Sequence, residues 1–103
     1  MNLRTERIKQ LLTAQLHPEI LDVINESHKH HVPEGSETHI KITAVSQEFQ
    51  SKSRIERHRL IQHLLTDELN QGLHALSMHL FTPDEWEKSK VPSSPACRDG
   101  FEN

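Results

Sequence analysis

Two stretches in which every second residue is apolar, with a helical stretch between them, constrain the fold of this chain most strongly. They are residues 39–46 and 74–81, and their alternating apolar positions are Ile40, Ile42, Ala44, Leu76, Met78 and Leu80. This alternation predicts strands with one buried face. Residues 55–69 lie between them and carry an apolar stripe at helical spacing, formed by Leu60, Ile61, Leu64, Leu65 and Leu69, before Gly72 closes the helix. A strand, a helix and a strand in this order predict a right-handed crossover.

Two further elements are predicted before that unit. Residues 3–16 form an amphipathic helix whose apolar side consists of Ile8, Leu11, Leu12 and Leu16. Pro18 ends this helix, because the residue before a proline is disfavoured in the helical region. Residues 20–25 are richer in β-branched side chains, so they predict a strand that pairs with 39–46 as a long-looped hairpin. Residues 47–54, polar apart from Phe49, are predicted to be a connection.

A short last helix is predicted after residue 81. Thr82 is suited to the N-cap, Pro83 to the first helical position, and Glu85 completes a capping box three residues after Thr82. Trp86 is expected to anchor this helix. The predicted order is therefore helix, strand, strand, helix, strand, short helix. It describes a small α/β fold, with helices on one face of a three-stranded sheet and the other face open.

Length and composition limit the chain to one domain and disfavour several classes of protein. With 103 residues, 33% of them apolar, we expect a domain over residues 1–88 and a flexible C-terminal tail over 89–103. No apolar run is long enough for a membrane span or a signal peptide. Cys97 is the single cysteine and cannot form an intramolecular disulfide, so we expect a cytoplasmic protein without membrane association and assign this thiol no role. A net charge of −3 argues against indiscriminate nucleic-acid binding.

Histidines are concentrated in the predicted hairpin loop. Residues 25–39 contain four of the nine histidines of the chain, namely His28, His30, His31 and His39. Histidine is the commonest metal ligand in proteins. These four lack the paired His/Cys spacing of mononuclear zinc sites, so the loop alone is a poor zinc site.

The motifs along the chain, taken in order, resemble those of the BolA family over nearly its whole length. They are Asn25-Glu-Ser27, Val32-Pro33-x-Gly35-Ser-Glu-Thr-His39, Val45-Ser46-x-x-Phe49, Arg57-His58-Arg59-Leu60, Glu68-Leu69, His74-Ala75-Leu76 and Thr82-Pro83-x-Glu85-Trp86. The resemblance implies a class II KH-like fold with the order α-β-β-α-β-α. One departure is Gln50, since many members have glycine after the phenylalanine.

The resemblance also implies a cofactor and a partner. BolA proteins pair with monothiol glutaredoxins and share a bridging [2Fe-2S] cluster, to which the partner and its glutathione contribute sulfur. Carried over by motif, the ligands from this chain are His74 and His30. His30 is favoured over His28 and His31 by its position two residues before Val32, and His39 is expected to be a hydrogen-bonding strand residue instead. The isolated chain is expected to be a monomer or weak homodimer without the cluster.

A basic group at the start of the predicted second helix supports an alternative function. It consists of Lys52, Arg54, Arg57, His58 and Arg59 and suits phosphate contacts, and some BolA proteins are regarded as DNA-binding transcriptional regulators. The helical spacing places Arg57 towards the apolar side, where a structural hydrogen-bonding role is expected. The Gly-x-x-Gly clamp of KH domains is missing and aromatic residues are few, so any DNA binding should be weak and salt-dependent.

An enzyme is the least expected class. The sequence has no nucleophile elbow, phosphate-binding glycine loop or evident pair of carboxylates. The leading hypothesis is a BolA-like adaptor that shares a [2Fe-2S] cluster with a glutaredoxin. Its role would lie in iron-sulfur trafficking or in iron and stress regulation, and transcriptional regulation through DNA remains the alternative.

Overall fold

The computed structural model describes residues 3–27 and 36–90, apart from the side chain of Lys90. The elements are α1 (Leu3–Leu16), β1 (Ile20–Asn25), β2 (His39–Val45), α2 (Arg54–Leu64), α3 (Thr66–Asn70), β3 (Ala75–Phe81) and α4 (Pro83–Lys90). Their order agrees with the sequence prediction, except that the helix predicted over residues 55–69 is divided into α2 and α3. In the part of the chain that the structure describes, none of the helices has the length and apolarity to span a membrane.

The strands form a three-stranded sheet in the order β1-β2-β3. β1 and β2 pair as the two antiparallel strands of the expected hairpin, and β3 pairs with β2 in parallel. A parallel neighbour requires a crossover, which α2 and α3 supply. The register places Ile42 between Val23 of β1 and Met78 of β3. One face of the sheet is therefore apolar across all three strands.

A single buried core lies between that face and the long helices. α1 contributes Ile8, Leu12 and Leu16, and α2 with the residue after it contributes Ile61 and Leu65, all in one cluster with the central strand. Leu11 is only partly buried against this cluster. Because both helices share one core, they cover the same face of the sheet, as the crossover predicts.

One helix was predicted over residues 55–69. The observed structure starts one residue earlier and is interrupted in the middle, so that it forms two helices. Ser53 and Glu56 form a capping box, in which the Ser53 hydroxyl accepts from the Glu56 N–H and the Glu56 carboxylate accepts from the Ser53 N–H. α2 consequently begins at Arg54. Leu65 leaves helical geometry, with φ −100° and ψ 19°, and separates α2 from α3. The apolar stripe continues across the break, which is why its spacing did not reveal it.

The connection predicted over residues 47–54 contains a short 3₁₀ helix, Gln47–Phe49, and ends in a turn. Its N-cap Ser46 is buried, and the hydroxyl accepts from the Glu48 N–H and donates to the Leu16 carbonyl at 2.7 Å. Phe49 is fully buried. Gln50 has an ordinary extended conformation, whereas the next residue, Ser51, has a positive φ of 65°. The missing family glycine is therefore accommodated without strain at Gln50.

α4 is capped as predicted. The Thr82 hydroxyl accepts from the Glu85 N–H at 3.2 Å, and the Glu85 carboxylate accepts from the Thr82 N–H at 3.0 Å. Trp86 packs on Phe81 with ring centroids 5.3 Å apart. Phe81 has the strand parity of Ala75 and His79, so Trp86 covers the end of the open sheet face. The tail was predicted to begin at residue 89. Residues 89 and 90 belong to α4, and the remainder, residues 91–103, lies outside the described residues.

Replacing Gly72 should destabilise the fold. Gly72 has a φ of +114°, a conformation that side-chain-bearing residues rarely adopt, whereas a Cβ there would make only an ordinary contact of 3.5 Å with the Arg4 guanidinium. We expect Gly72→Ala to lower the free energy of unfolding by more than about 1 kcal/mol, measured by urea denaturation. Ser51→Gly, at a turn position with a positive φ of 65°, should change stability by less than half as much. Equal effects of the two substitutions would contradict this account.

Candidate functional site

His74 lies just before β3, at the junction between the α3 turn and the sheet. Its backbone N–H donates to the Thr38 carbonyl at 2.9 Å, and the Ala75 N–H donates to the same oxygen at 3.1 Å. The preceding residue, Leu73, is buried at 3% exposure, whereas His74 itself is exposed. The backbone is thus held by two hydrogen bonds and a buried neighbour. The imidazole is presented to the outside from a fixed position.

The opposite side of this junction is built by the Asn-Glu-Ser and Ser-Glu-Thr-His motifs. The buried Ser27 hydroxyl accepts from the N–H groups of Thr38 at 2.8 Å and His39 at 3.1 Å. Asn25 accepts from the Ser27 N–H and donates to the Ser36 carbonyl at 2.9 Å. These bonds join the two ends of the histidine-rich loop. They also provide hydrogen-bond partners for backbone N–H groups that the strand pairing does not use.

Glu37 connects the same segment to the start of α1. Its carboxylate accepts from the Arg4 N–H at 2.9 Å, the Thr5 N–H at 3.0 Å and the Thr5 hydroxyl at 3.0 Å. The first N–H groups of a helix have no partner within it, and here a distant carboxylate supplies one. Partial burial raises the pKa of Glu37, but these hydrogen bonds and the Arg4 charge outweigh it and lower the pKa.

Arg4 holds both sides of the junction through one guanidinium. It donates to the Glu37 carbonyl at 2.6 Å, to the Gln71 carbonyl at 2.7 Å and to the Glu68 carboxylate at 2.8 Å. Arg7 binds the same carboxylate through two nitrogens, at 2.6 and 2.9 Å. The Arg7 hydrogen bond is the main cause of the lowered pKa of Glu68, and Arg4 adds to it. The loop end and the turn that leads to His74 are therefore fixed relative to each other.

His39 is the histidine that the described structure brings next to His74. The two ring centroids are 6.4 Å apart, with the planes inclined by 37°. His39 is half-buried, and its Nδ1 shares a hydrogen bond of 2.9 Å with the Thr38 hydroxyl. The prediction of a hydrogen-bonding strand residue is confirmed.

His30, the second predicted ligand, lies outside the described residues, as do His28 and His31. Its role stays a prediction. Among residues 3–27 and 36–90, no three His, Cys, Asp or Glu side chains are arranged to hold a metal ion together. A metal or cluster bound through His74 would therefore need the loop, water or another molecule to complete its coordination.

Arg57, a member of the predicted basic group, makes structural contacts. Its guanidinium donates to the Lys52 carbonyl at 3.1 Å, to the Leu80 carbonyl at 3.1 Å and to both Glu85 carboxylate oxygens at 2.6 and 3.0 Å. It also lies over the Phe49 ring, 5.8 Å from the centroid. The predicted structural role of Arg57 is confirmed. Its charge is largely matched by Glu85.

Two other members of the basic group, Lys52 and Arg54, line an open cleft. The cleft has a volume of about 420 Å³ and is lined by Lys52, Arg54, Arg57, Leu80, Phe81 and Glu85. Arg54 is exposed and Lys52 half-buried, whereas Arg59 is exposed and His58 half-buried farther along α2. The structure thus presents Lys52 and Arg54 together in the lining of one cleft, to which Arg57 also contributes.

Comparison with known proteins decides the family. A family model described as BolA-like protein matches residues 12–85. The chain belongs to the BolA family. The BolA family is one of regulatory and adaptor proteins, and the three-stranded sheet with its helices matches BolA-domain structures.

Relatives and solved structures agree with this assignment. A BolA-like protein of Dictyostelium discoideum is 43% identical over 102 residues, covering 91% of this chain and 90% of its own. A protein of Escherichia coli K12 named DNA-binding transcriptional regulator BolA is 43% identical over 95 residues, covering 90% of both chains. The solution structure of mouse BolA1 has a TM-score of 0.79 at 38% identity, covering 94% of this chain and 80% of its own. The BolA domain of SufE1 from Arabidopsis thaliana has a TM-score of 0.77 at 45% identity, over 82% of this BolA chain and 98% of that domain.

Sequence reasoning missed the residues that support His74. Arg4, Glu37 and Glu68 lie in three different elements or segments, so no local pattern relates them. The position of Glu37 inside the Ser-Glu-Thr-His motif, away from any predicted helix, was the one available signal. Its partner at the start of α1 became visible only in the fold.

The Arg57–Glu85 pair should make part of the stability of this BolA domain depend on pH. Hydrogen bonds from Arg57 lower the pKa of Glu85 from 4.5 to about 2. A lowered pKa means that Glu85 stabilises the fold above pH 4.5 and that this contribution is lost as the pH falls towards 2. We expect the urea midpoints of wild type and Glu85→Gln to differ most near neutral pH and to converge below pH 4.5.

Asp84→Asn is the matched control, because Asp84 is exposed in the same first turn of α4. Its difference from wild type should be small and should not follow the same pH course. A Glu85→Gln difference that stays constant from pH 7 to pH 3 would contradict the assigned role of the pair.

Proposed function

We propose that this BolA protein is a cytoplasmic adaptor that forms a heterodimer with a monothiol glutaredoxin and co-ligates a bridging [2Fe-2S] cluster. Its role would be iron-sulfur trafficking or iron and stress regulation, without catalysis of its own. The observation that carries the proposal is the exposed imidazole of His74 on a backbone fixed by Thr38.

The donor chemistry fits such a cluster. An exposed imidazole is a suitable iron ligand, and among the described residues no three His, Cys, Asp or Glu side chains could hold a metal ion without outside ligands. His74 would be one ligand from this chain and His30 the other, with sulfur from the glutaredoxin and its glutathione. Two imidazoles on one iron raise the reduction potential of a [2Fe-2S] cluster relative to all-thiolate ligation.

The residues of this chain would act by positioning. Thr38 holds the backbone of His74, while Asn25 and Ser27 join the ends of the loop that contains His30. Arg4 connects the two sides through Glu37 and Gln71. A ligand that is already fixed loses less conformational entropy when a partner arrives.

Removing the His74 imidazole should change the shared cluster. The protein, a monothiol glutaredoxin, glutathione, iron and sulfide are mixed anaerobically, and the visible absorption and circular dichroism spectra are recorded. We expect a heterodimer spectrum that differs from that of the glutaredoxin cluster homodimer, because nitrogen replaces sulfur on one iron. His74→Ala should abolish that difference.

His79→Ala is the matched control, since His79 is also an exposed histidine of β3 but faces Thr43 farther along the sheet. Its heterodimer should have the wild-type spectrum. An unchanged spectrum for His74→Ala would show that His74 is not a ligand, and failure to form any heterodimer would overturn the proposed function.

DNA binding is the second candidate, because bacterial relatives that are 43–44% identical are named DNA-binding transcriptional regulators. The cleft with Lys52 and Arg54 is the surface that could contact phosphates. Arg57 is already paired with Glu85, which leaves fewer cations for DNA than the sequence indicates.

Binding to promoter fragments should therefore be weak and should fall steeply as salt is raised. We expect Arg54→Ala to weaken binding to all sequences alike and to reduce the salt slope by about one phosphate contact, measured by fluorescence anisotropy between low and physiological salt. Lys9→Ala, which removes a cation from α1, should have little effect. No affinity even at low ionic strength would exclude this function.

A further inference from the structure

We propose that His39 and His74 together form a binding site for one divalent transition-metal ion, within a single chain and without a glutaredoxin. The proposed site differs from the cluster site in its second ligand, since it uses a described strand residue in place of the loop histidine. It also differs in its occupant, which is one ion. Zn²⁺ is the ion we would test first, because imidazole suits it well.

The distance between the rings is compatible with shared coordination. A zinc–nitrogen bond of about 2.0–2.1 Å places each ring centroid about 3.2 Å from the ion, so two rings on one ion are about 5 Å apart at a tetrahedral angle. The observed separation of the His39 and His74 centroids is 6.4 Å. The exposed His74 ring needs to approach by little more than about 1 Å, which a change within its side-chain torsions supplies.

The backbone on both sides of the pair is already fixed. His39 lies opposite Ala75 in the parallel register, and the N–H groups of His74 and Ala75 share the Thr38 carbonyl. The His39 carbonyl accepts from the Glu26 N–H at 2.8 Å. Binding therefore orders few additional residues, which favours an ion held by only two protein ligands.

Thr38 supplies the support that metal-binding histidines usually have. Its hydroxyl shares a hydrogen bond of 2.9 Å with His39 Nδ1. In the tautomer that donates from Nδ1, the lone pair that binds a metal is at Nε2. Metal-ligating histidines commonly make such a bond from their other nitrogen, and losing it costs 10- to 100-fold in affinity.

Water would complete the coordination, because the described residues contain no third His, Cys, Asp or Glu in a metal-binding arrangement. Such a site exchanges its ion readily. Because the ion and the proposed cluster both use His74, they exclude each other on one chain.

The test removes competing ligands first. The full chain carrying His28→Ala, His30→Ala, His31→Ala and Cys97→Ser is titrated with Zn²⁺ by calorimetry, and amide NMR shifts are followed. We expect one bound ion per chain, with shifts confined to residues near 37–40 and 73–76. Adding His39→Ala or His74→Ala should weaken binding at least 10-fold.

Controls separate coordination from a general loss of structure. His79→Ala should bind as the background does, and Thr38→Val should weaken Zn²⁺ binding 10- to 100-fold while Thr38→Ser retains it. Should His39→Ala destabilise the fold, His39→Gln replaces it, with thermal melts confirming the folded state. A background chain that binds no Zn²⁺, or unchanged affinity in a folded His39 variant, would overturn the proposal, whatever the outcome with glutaredoxin.

Discussion

The carbonyl oxygen of Thr38 accepts two backbone hydrogen bonds, from His74 and Ala75, and the arrangement of the histidines depends on this junction. It starts the parallel pairing of β2 with β3, so it determines where the crossover through α2 and α3 must end. It also brings the segment that contains His39 close to the segment that contains His74, although the two are far apart in the sequence. A displaced junction would separate His39 from His74 and remove both proposed uses of His74.

Charged groups brace this junction from the helix side. Arg4 links the Glu37 and Gln71 carbonyls, and the Glu37 carboxylate caps α1. The Arg4 and Glu68 side chains are only 13% and 12% exposed, and the desolvation of such ion pairs offsets much of their attraction. Their value here is geometric, since each hydrogen bond relates a different segment to the same point. Arg57 has a similar role at the opposite end of β3, where it joins α2 to α4 through Glu85.

Local pattern predicted much of the fold. The bounds of α1 and β1 agree with the predicted residues 3–16 and 20–25, because amphipathic periodicity and Pro18 are properties of the segments themselves. The break at Leu65 was missed because the same apolar side faces the core before and after it. The motif set led to the BolA family and to His74, while the proximity of that side chain to His39 was not visible in the sequence.

The sequence by itself determined which segments are helical or extended, which face of each is apolar, and where α4 is capped, because all of these depend on residues within a few positions of one another. The tertiary structure alone decided which polar residues meet. Arg4 and Glu68 are 64 positions apart and His39 lies in a different strand from His74, so their contact depends on the strand register and the crossover. Register is a property of the assembled sheet. It places His39, which was predicted to be a hydrogen-bonding residue, next to His74, the predicted metal ligand.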